Sequence, residues 1–149
     1  MVSRVQQLCA ALAAAALAGC AQQPALPGDL DGAWRVQQIA GASLGEGVRI
    51  RVEIDAQAGA IAGFTGCNDF SAPMAGFGDA ITIGAVSEAN GSCASAAAAT
   101  DEARFLGVLS SVRRFIRHGK ALELLGNDAG EALLRLRAED EPAVEGGQT

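Results

Sequence analysis

The chain has 149 residues, and its 17 acidic residues outnumber its 11 basic ones, which gives a formal net charge of −6. Because the chain is acidic and shows no stripe of basic residues, we expect it not to bind nucleic acid. The length suits one domain with a core large enough to fold alone.

The first 20 residues predict a secretory signal that ends in a lipid-attachment site. Arg4 is the one charged residue, an apolar run follows over about residues 8–17, and the segment ends in LAGC at positions 17–20. The run is too short to span a bilayer permanently. Its end resembles the lipobox of bacterial lipoproteins, which implies cleavage after residue 19 and lipidation of Cys20. An ordinary cleaved signal with a chance cysteine is the alternative.

The lipobox resemblance implies a protein that is anchored to a membrane by lipid and does not span it. Residue 21 is alanine rather than aspartate, which implies an outer-membrane lipoprotein of the cell envelope that faces the periplasm. Residues 20–28 hold two prolines and no charge and predict a lipidated tether. Residues 138–149 hold four acids and no base and predict a disordered acidic tail. The folded domain is therefore expected over residues 29–137, as a monomer.

Most of this domain has the pattern of short β-strands. Residues 48–54 alternate apolar and charged side chains without exception, which predicts a strand with one buried and one wet face. Residues 34–39 and 81–83 predict further strands. Residues 60–64 follow a turn at 56–59 and predict the second strand of a hairpin, and a later hairpin is predicted from residues 121–125 and 132–137.

One helix is predicted between the strands. Thr100 is the expected N-cap, and Asp101 and Glu102 follow in the first turn, where the helix dipole favours acids. A stripe at helical spacing consists of Phe105, Leu106, Leu109 and Val112. We expect the helix to end near residue 111, to give way to a strand from about residue 113, and to pack its stripe against the sheet. The fold class is therefore mainly antiparallel β with one α-helix (α+β), either a small curved sheet or a lipocalin-like barrel closed by the helix.

Two cysteines of the domain, Cys67 and Cys93, are an even pair in a compartment that permits disulfides. A disulfide is the preferred interpretation, with two separate buried thiols as the alternative. A catalytic cysteine needs a base, but the one histidine, His118, lies in a predicted exposed hairpin turn. A zinc site is disfavoured because no C-x-x-C pair is present. We therefore predict no catalytic residue, no metal site and no cofactor.

Several motifs occur together in an order that resembles the META domain family, which includes the bacterial heat-shock protein HslJ. The matching signature residues are Leu30, Gly32, Trp34, Gly63, Gly66, Cys67, Asn68 and Phe70. Cys93, the helical stripe with Glu102 ahead of it, and the leucines of the last hairpin follow in the family order. The resemblance implies a mainly antiparallel β structure with one helix and a lipocalin-type topology. It also implies a periplasmic or surface protein that is linked to stress or antibiotic tolerance, with no established enzymatic reaction.

The chain departs from this family pattern beside the signature. Where the family usually has a glycine and then a tyrosine, this chain has Ala72 and Met74, and it contains no tyrosine. The threonine that commonly lies four residues before the second cysteine is replaced by Ala89. We interpret Gly66 and Asn68 as residues that allow a sharp turn through positive φ.

Two functions follow as alternatives. The first is a structural or interaction module that supports stress tolerance through contacts with an envelope protein partner. The second is a periplasmic carrier or sensor that holds a small apolar ligand inside the barrel. We prefer the first, because a domain of about a hundred residues that must also bury a helix has little spare interior. An enzyme is disfavoured because Asp69, the one acid beside the signature, has no evident partner.

Overall fold

The structure is a computed structural model that describes residues 26–127 and 130–140. Cys20, the signal segment and most of the predicted tether and tail lie outside the described residues. A short 3-10 helix, Gly28–Leu30, precedes the strands and the helix. These are β1 (Gly32–Ile39), β2 (Ala42–Ser43), β3 (Arg51–Asp55), β4 (Ala60–Phe64), β5 (Asp69–Phe77), β6 (Ala80–Ile83), β7 (Ser87–Glu88), α1 (Ala96–Leu109), β8 (Arg114–His118), β9 (Ala121–Leu125) and β10 (Ala132–Ala138).

Eight of these strands close into an antiparallel barrel in the order β1, β3, β4, β5, β6, β8, β9, β10. Pairing of the last strand with the first completes the ring, with Trp34 opposite Ala138 and Ile39 opposite Leu134. The short strands β2 and β7 add to β1 and β5. The prediction of a mainly antiparallel fold with one helix is confirmed, and the sheet closes as a lipocalin-like barrel.

Alternation of side chains decides which face of each strand lies inside the barrel. In β3, Val52 and Ile54 are buried while Arg51 and Glu53 are exposed. The strand was predicted to begin at residue 48, but its ladder begins at Arg51. Ile50 is nevertheless fully buried, and its carbonyl accepts a hydrogen bond from the Val36 amide at 3.0 Å. The inward side chains of the strands form one contiguous hydrophobic core.

The strand β5 was not predicted, although it has nine residues and pairs with β4 on one side and β6 on the other. Its buried positions are Phe70, Ala72 and Met74, which alternate with exposed ones. Two of the sites at which the chain departs from the family pattern, Ala72 and Met74, thus point into the core. The missing tyrosine is therefore replaced by an apolar core residue.

The helix α1 begins earlier than predicted. Its N-cap is Ser95, whose hydroxyl accepts a hydrogen bond from the Ala98 amide at 3.1 Å. The alanine run that follows Ser95 favours helix strongly, so Thr100 lies inside the helix and donates its hydroxyl hydrogen to the Ala96 carbonyl at 2.9 Å. Glu102 consequently lies in the second turn. The helix ends at Leu109 rather than near residue 111.

The helix lies across one end of the barrel, which we call the helix end. The Arg104 guanidinium donates to the carbonyl of Ile39, the last residue of β1, and Glu102 contacts the loop between β4 and β5. Phe105 and Leu109 are fully buried and belong to the core. The helix therefore closes the barrel through this apolar stripe, as the sequence predicted, although Val112 of the predicted stripe lies beyond the end of the helix and joins the core from the following turn.

The opposite end of the barrel, which we call the terminal end, holds both boundaries of the described chain. Leu26 is buried, three residues before the expected start of the domain. Strand β10 continues to Ala138, one residue past its expected end, and the Glu139 amide donates to the Ala33 carbonyl at 2.8 Å. Lys120 donates to the Asp140 carboxylate, which lowers the pKa of that exposed acid. In residues 26–127 and 130–140, no helix is both long and apolar enough to cross a membrane.

Candidate functional site

The signature residues between β4 and β5 form a tight loop at the helix end. Gly66 has φ +94°, in the region that favours glycine. The Thr65 amide closes the turn by donating to the Asn68 carbonyl at 2.8 Å. In β4, Gly63 has φ +154°, and a Cβ at this position would overlap with the carbonyl oxygen of Arg51. Both glycines are therefore required by the backbone.

Cys67 of this loop forms a disulfide with Cys93, as predicted, and their Cα atoms are 4.8 Å apart. The bond ties the loop to the segment just ahead of α1. Glu102 completes a group of three potential metal ligands whose ligand atoms lie within 4.8 Å of one another. Sulfur atoms bonded to each other are not thiolates, however, and the thiolate is both the metal ligand and the nucleophile. In this oxidised state the two cysteines serve as a covalent link.

A polar network centred on Glu102 lies beside the disulfide. Its Oε1 atom accepts hydrogen bonds from the Thr65 hydroxyl at 2.5 Å and from Asn68 Nδ2 at 2.9 Å. Its Oε2 atom lies 3.5 Å from Cys93 Sγ, a van der Waals contact because a disulfide sulfur carries no hydrogen. Asn68 Oδ1 accepts from the Gly91 amide at 2.6 Å. The network thus joins the signature loop, the segment before α1 and the helix itself.

The role of Asn68 differs from the predicted one. Among the described residues, Ala40 is the one non-glycine residue with positive φ, so Asn68 does not supply a left-handed backbone conformation. Asn68 is buried instead, and its side-chain amide donates to one partner and accepts from another. A buried polar side chain is stable when both kinds of group are paired in this way.

The sequence interpretation placed neither Glu102 nor Thr65 in this cluster. Glu102 was assigned to a first helical turn for its charge, whereas its carboxylate faces the signature loop. The signal was present in the spacing, because Glu102, Phe105 and Leu109 lie three and four residues apart and therefore share one helix face. Asp69, the acid that adjoins the signature in sequence, is exposed at the start of β5.

A second polar network holds the middle of α1. Asp101 is buried; its Oδ2 atom accepts from the Gly45 amide at 2.6 Å, and its Oδ1 atom accepts from Arg104 at 2.8 Å. In the described part of the chain, every buried side-chain nitrogen and oxygen has a hydrogen-bond partner. The donors and acceptors of both networks are therefore used to hold the helix against the barrel.

The other signature residues lie at the terminal end. Trp34 is buried, and its Nε1 atom donates to the Leu30 carbonyl at 3.1 Å. The Arg117 guanidinium lies 5.1 Å from the centre of the Trp34 ring, within range of a cation–π interaction. Gly32 provides positive φ between these residues. His118 is exposed at the hairpin after β8, as predicted.

The signature therefore forms two structural groups, one at each end of the barrel, and both lie within a single matched region. The chain matches the family model of the META domain over residues 28–140. It belongs to the META domain family. The fold of this META domain is similar to an NMR structure of a protein from Burkholderia xenovorans, with a TM-score of 0.58 and 16% sequence identity. That similarity covers 95% of this chain and 100% of the other. No curated protein matches the chain.

The META domain carries a groove of about 400 Å³ on the outer side of the barrel, beside the signature loop. The floor is made by small residues on β1 and β4, namely Ala33, Ala62 and Gly63. Phe64, whose residue surface is 39% exposed, and Asp69 lie where the groove meets the signature loop. The groove therefore lies directly beside the strand pair that Gly63 allows to approach closely.

Paired charges form the far side of this groove. Glu139 accepts hydrogen bonds through Oε1 from Arg35 at 3.1 Å and through Oε2 from Arg51 at 2.9 Å. The Glu139 side chain is 12% exposed, whereas both arginines are largely solvated. Pairs of this kind contribute about 1 kcal/mol or less each. Their consequence is mainly geometric, since they hold two guanidinium groups at fixed positions beside the groove.

Proposed function

We propose that this META domain protein is a lipid-anchored protein of the bacterial envelope that supports stress or antibiotic tolerance through contacts with other proteins, without an enzymatic reaction of its own. The LAGC sequence that ends at Cys20 supports lipid anchoring. Alanine at position 21 supports an outer-membrane protein that faces the periplasm. Family membership supports the link to stress tolerance.

The packing of the barrel interior is the observation that favours protein contacts over transport of a ligand. A carrier needs an apolar cavity with a few placed polar groups. In this domain the inward side chains form one contiguous core, which Phe105 and Leu109 of α1 join from the helix end. Leu30 and Trp34 join the same core from the terminal end and are almost completely buried. Packed side chains thus occupy the space that a lipocalin-like carrier would reserve for its ligand.

The outer groove is the surface that we assign to the protein partner. Its floor of small residues leaves room for an apolar side chain of the partner, and Phe64 offers an aromatic contact at the edge. The charged residues that line the groove are Arg51 and the acids Glu53, Asp69 and Glu139, so its rim carries both signs of charge. An apolar centre within a polar rim is the usual composition of a protein interface. The partner is therefore expected to insert an apolar anchor and to pair with the rim charges.

Filling the groove tests this proposal. The variant Ala62→Arg places a long side chain on the groove floor, directly across the strand pair from Glu53, with which it can form an ion pair. The matched control is Ala75→Arg, at an exposed position of β5 opposite Thr82 and away from the groove. A strain that lacks the gene is complemented with wild type or either variant, and growth under envelope stress and antibiotic is measured.

We expect both variants to accumulate in the cell to the same amount as the wild-type protein. Only the strain with Ala62→Arg should lose the tolerance. Equal tolerance in both variants would contradict contacts through the groove. Native mass spectrometry of the domain from residue 21 onward distinguishes the carrier from the interaction module. A bound small molecule would add a defined mass to the protein ion, and this mass would be lost when the ion is activated. A ligand-free monomer supports the packed interaction module.

A further inference from the structure

The tip of the β5–β6 hairpin presents a large apolar side chain to solvent at the terminal end of the barrel. Phe77 is 76% exposed, whereas Phe64, the other exposed large hydrophobic residue in the described part of the chain, is 39% exposed. Phe77 is followed by Gly78 in the turn. The ring of Phe77 contributes little buried area to this fold and is free to contact a surface outside the domain.

The chain enters the domain beside this tip. Leu26 is buried, and its Cδ2 atom lies only 2.9 Å from the position that a Cβ on Gly76 would occupy. Leu26 therefore packs directly against the residue that precedes Phe77. Cys20 is six residues before Leu26, and a chain of that length reaches at most about 20 Å. A surface to which Cys20 is attached therefore lies within a short distance of Phe77.

We propose that Phe77 inserts into the lipid bilayer that holds the acyl chains of Cys20, and that the terminal end of the barrel faces this membrane. The inference rests on the lipid anchoring in the proposed function. Aromatic side chains are favoured at the boundary between headgroups and acyl chains, where a ring can be buried while the backbone stays hydrated. The single tether and the single inserted ring together fix which end of the barrel faces the membrane.

The charges around the hairpin tip are compatible with this placement. Asp79, the acid nearest to Phe77 in sequence, is paired with Arg114 through a 3.2 Å contact. The neighbouring turn at the same end, residues 56–59, has the sequence AQAG, and the exposed Asp55 that precedes it accepts a hydrogen bond from the Ala58 amide at 2.8 Å. An uncompensated acid at the tip would oppose the approach to an anionic surface, and the ion pair offsets that charge.

The orientation has a consequence for the groove. Phe64 and Asp69 lie at the helix end, opposite to Phe77. With the terminal end on the membrane, the signature loop, α1 and this part of the groove point away from the lipid. A partner in the periplasm can then approach them without crossing the headgroup region.

Tryptophan placed at the two phenylalanine positions tests the inference. The full-length protein is exported and processed in bacteria, its lipid is verified by mass, and it is reconstituted into vesicles of phosphatidylethanolamine and phosphatidylglycerol with brominated acyl chains. Phe77→Trp is compared with the matched control Phe64→Trp, and the signal of the buried Trp34 is subtracted by means of the wild type. Thermal melting of each variant verifies the fold.

We expect the fluorescence of Phe77→Trp to shift to shorter wavelength and to fall about two-fold with brominated lipid, since interfacial side chains lie within reach of the bromines. Phe64→Trp should show neither change. If the lipidated protein shows no quenching of Phe77→Trp, or equal quenching at both positions, the membrane-facing hairpin is refuted. The lipid anchor of the proposed function would be unaffected by that result. A mature protein without acyl chains would overturn the lipid anchor itself, and this inference with it.

Discussion

Removal of the disulfide by Cys67→Ser and Cys93→Ser is expected to destabilise the domain substantially. The bond closes a loop with a sequence separation of 26, and the chain-entropy relation for such a loop gives about 3.5 kcal/mol at 25 °C. For a domain of about 110 residues with an unfolding entropy of about 2.1 cal/mol/K per residue, this loss corresponds to roughly 15 °C in Tm. Circular dichroism melting of the two single variants and the double variant measures the loss.

A comparison of the three variants is as informative as the size of the fall in Tm. Each single substitution already breaks the bond, so both single variants and the double variant should melt at similar temperatures. Wild type treated with a thiol reductant should match them, whereas the reductant should leave the double variant unchanged. Single variants that melt at the wild-type temperature, or losses that simply add in the double variant, would refute a stabilising disulfide.

Three further substitutions probe the packing around the helix end, each measured by urea unfolding. Phe105→Ala removes a fully buried ring and should cost about 3–5 kcal/mol. Gly63→Ala forces a Cβ against the Arg51 carbonyl in a backbone conformation that side chains rarely adopt, and should cost at least about 2 kcal/mol. Asn68→Ala leaves Glu102 without one of its donors and should cost about 1–3 kcal/mol. A change below about 0.5 kcal/mol in any of them would contradict the corresponding contact.

Each of these substitutions has a matched control within the chain. Phe77→Ala truncates an exposed ring and should leave the stability of the domain in solution almost unchanged. Gly107→Ala adds a methyl group where nothing lies within 4 Å, inside α1, and should stabilise the domain by about 0.5–1 kcal/mol. Asn90→Ala changes an exposed asparagine in a loop and should have little effect on the free energy of unfolding.

The strands that could be predicted from the sequence are those whose own side chains alternate clearly. Val52 and Ile54 between charged residues indicated the buried face of β3 correctly. The start of that strand was placed too early, because the ladder with β1 begins only where Arg35 pairs with Arg51. Periodicity reports which face is buried, but the length of a ladder depends on the partner strand.

Strand β5 could not be recognised in the same way. Its inward residues include Ala72, and its outward ones include Pro73 and Ala75, all of which have weak β propensity. The segment is extended because it pairs with a strand on each side, and this tertiary context is invisible to a local pattern. Prediction of the site from the sequence is limited for the same reason, since Glu102 contacts Asn68 only when α1 lies across the end of the barrel.

The pairing of β1 with β10 also sets the order in which this domain can fold. Trp34 and Ala138 lie at opposite ends of the domain sequence, yet they are neighbours in the ring. Contacts of such large sequence separation form slowly, because most of the chain must be ordered before they repay the entropy of closing the loop. The hairpins from β3 to β6 and the loop of the Cys67–Cys93 disulfide are local and can form early. The ring itself can close only after the last strand is available, so a chain whose C-terminal strand has not yet been synthesised stays open.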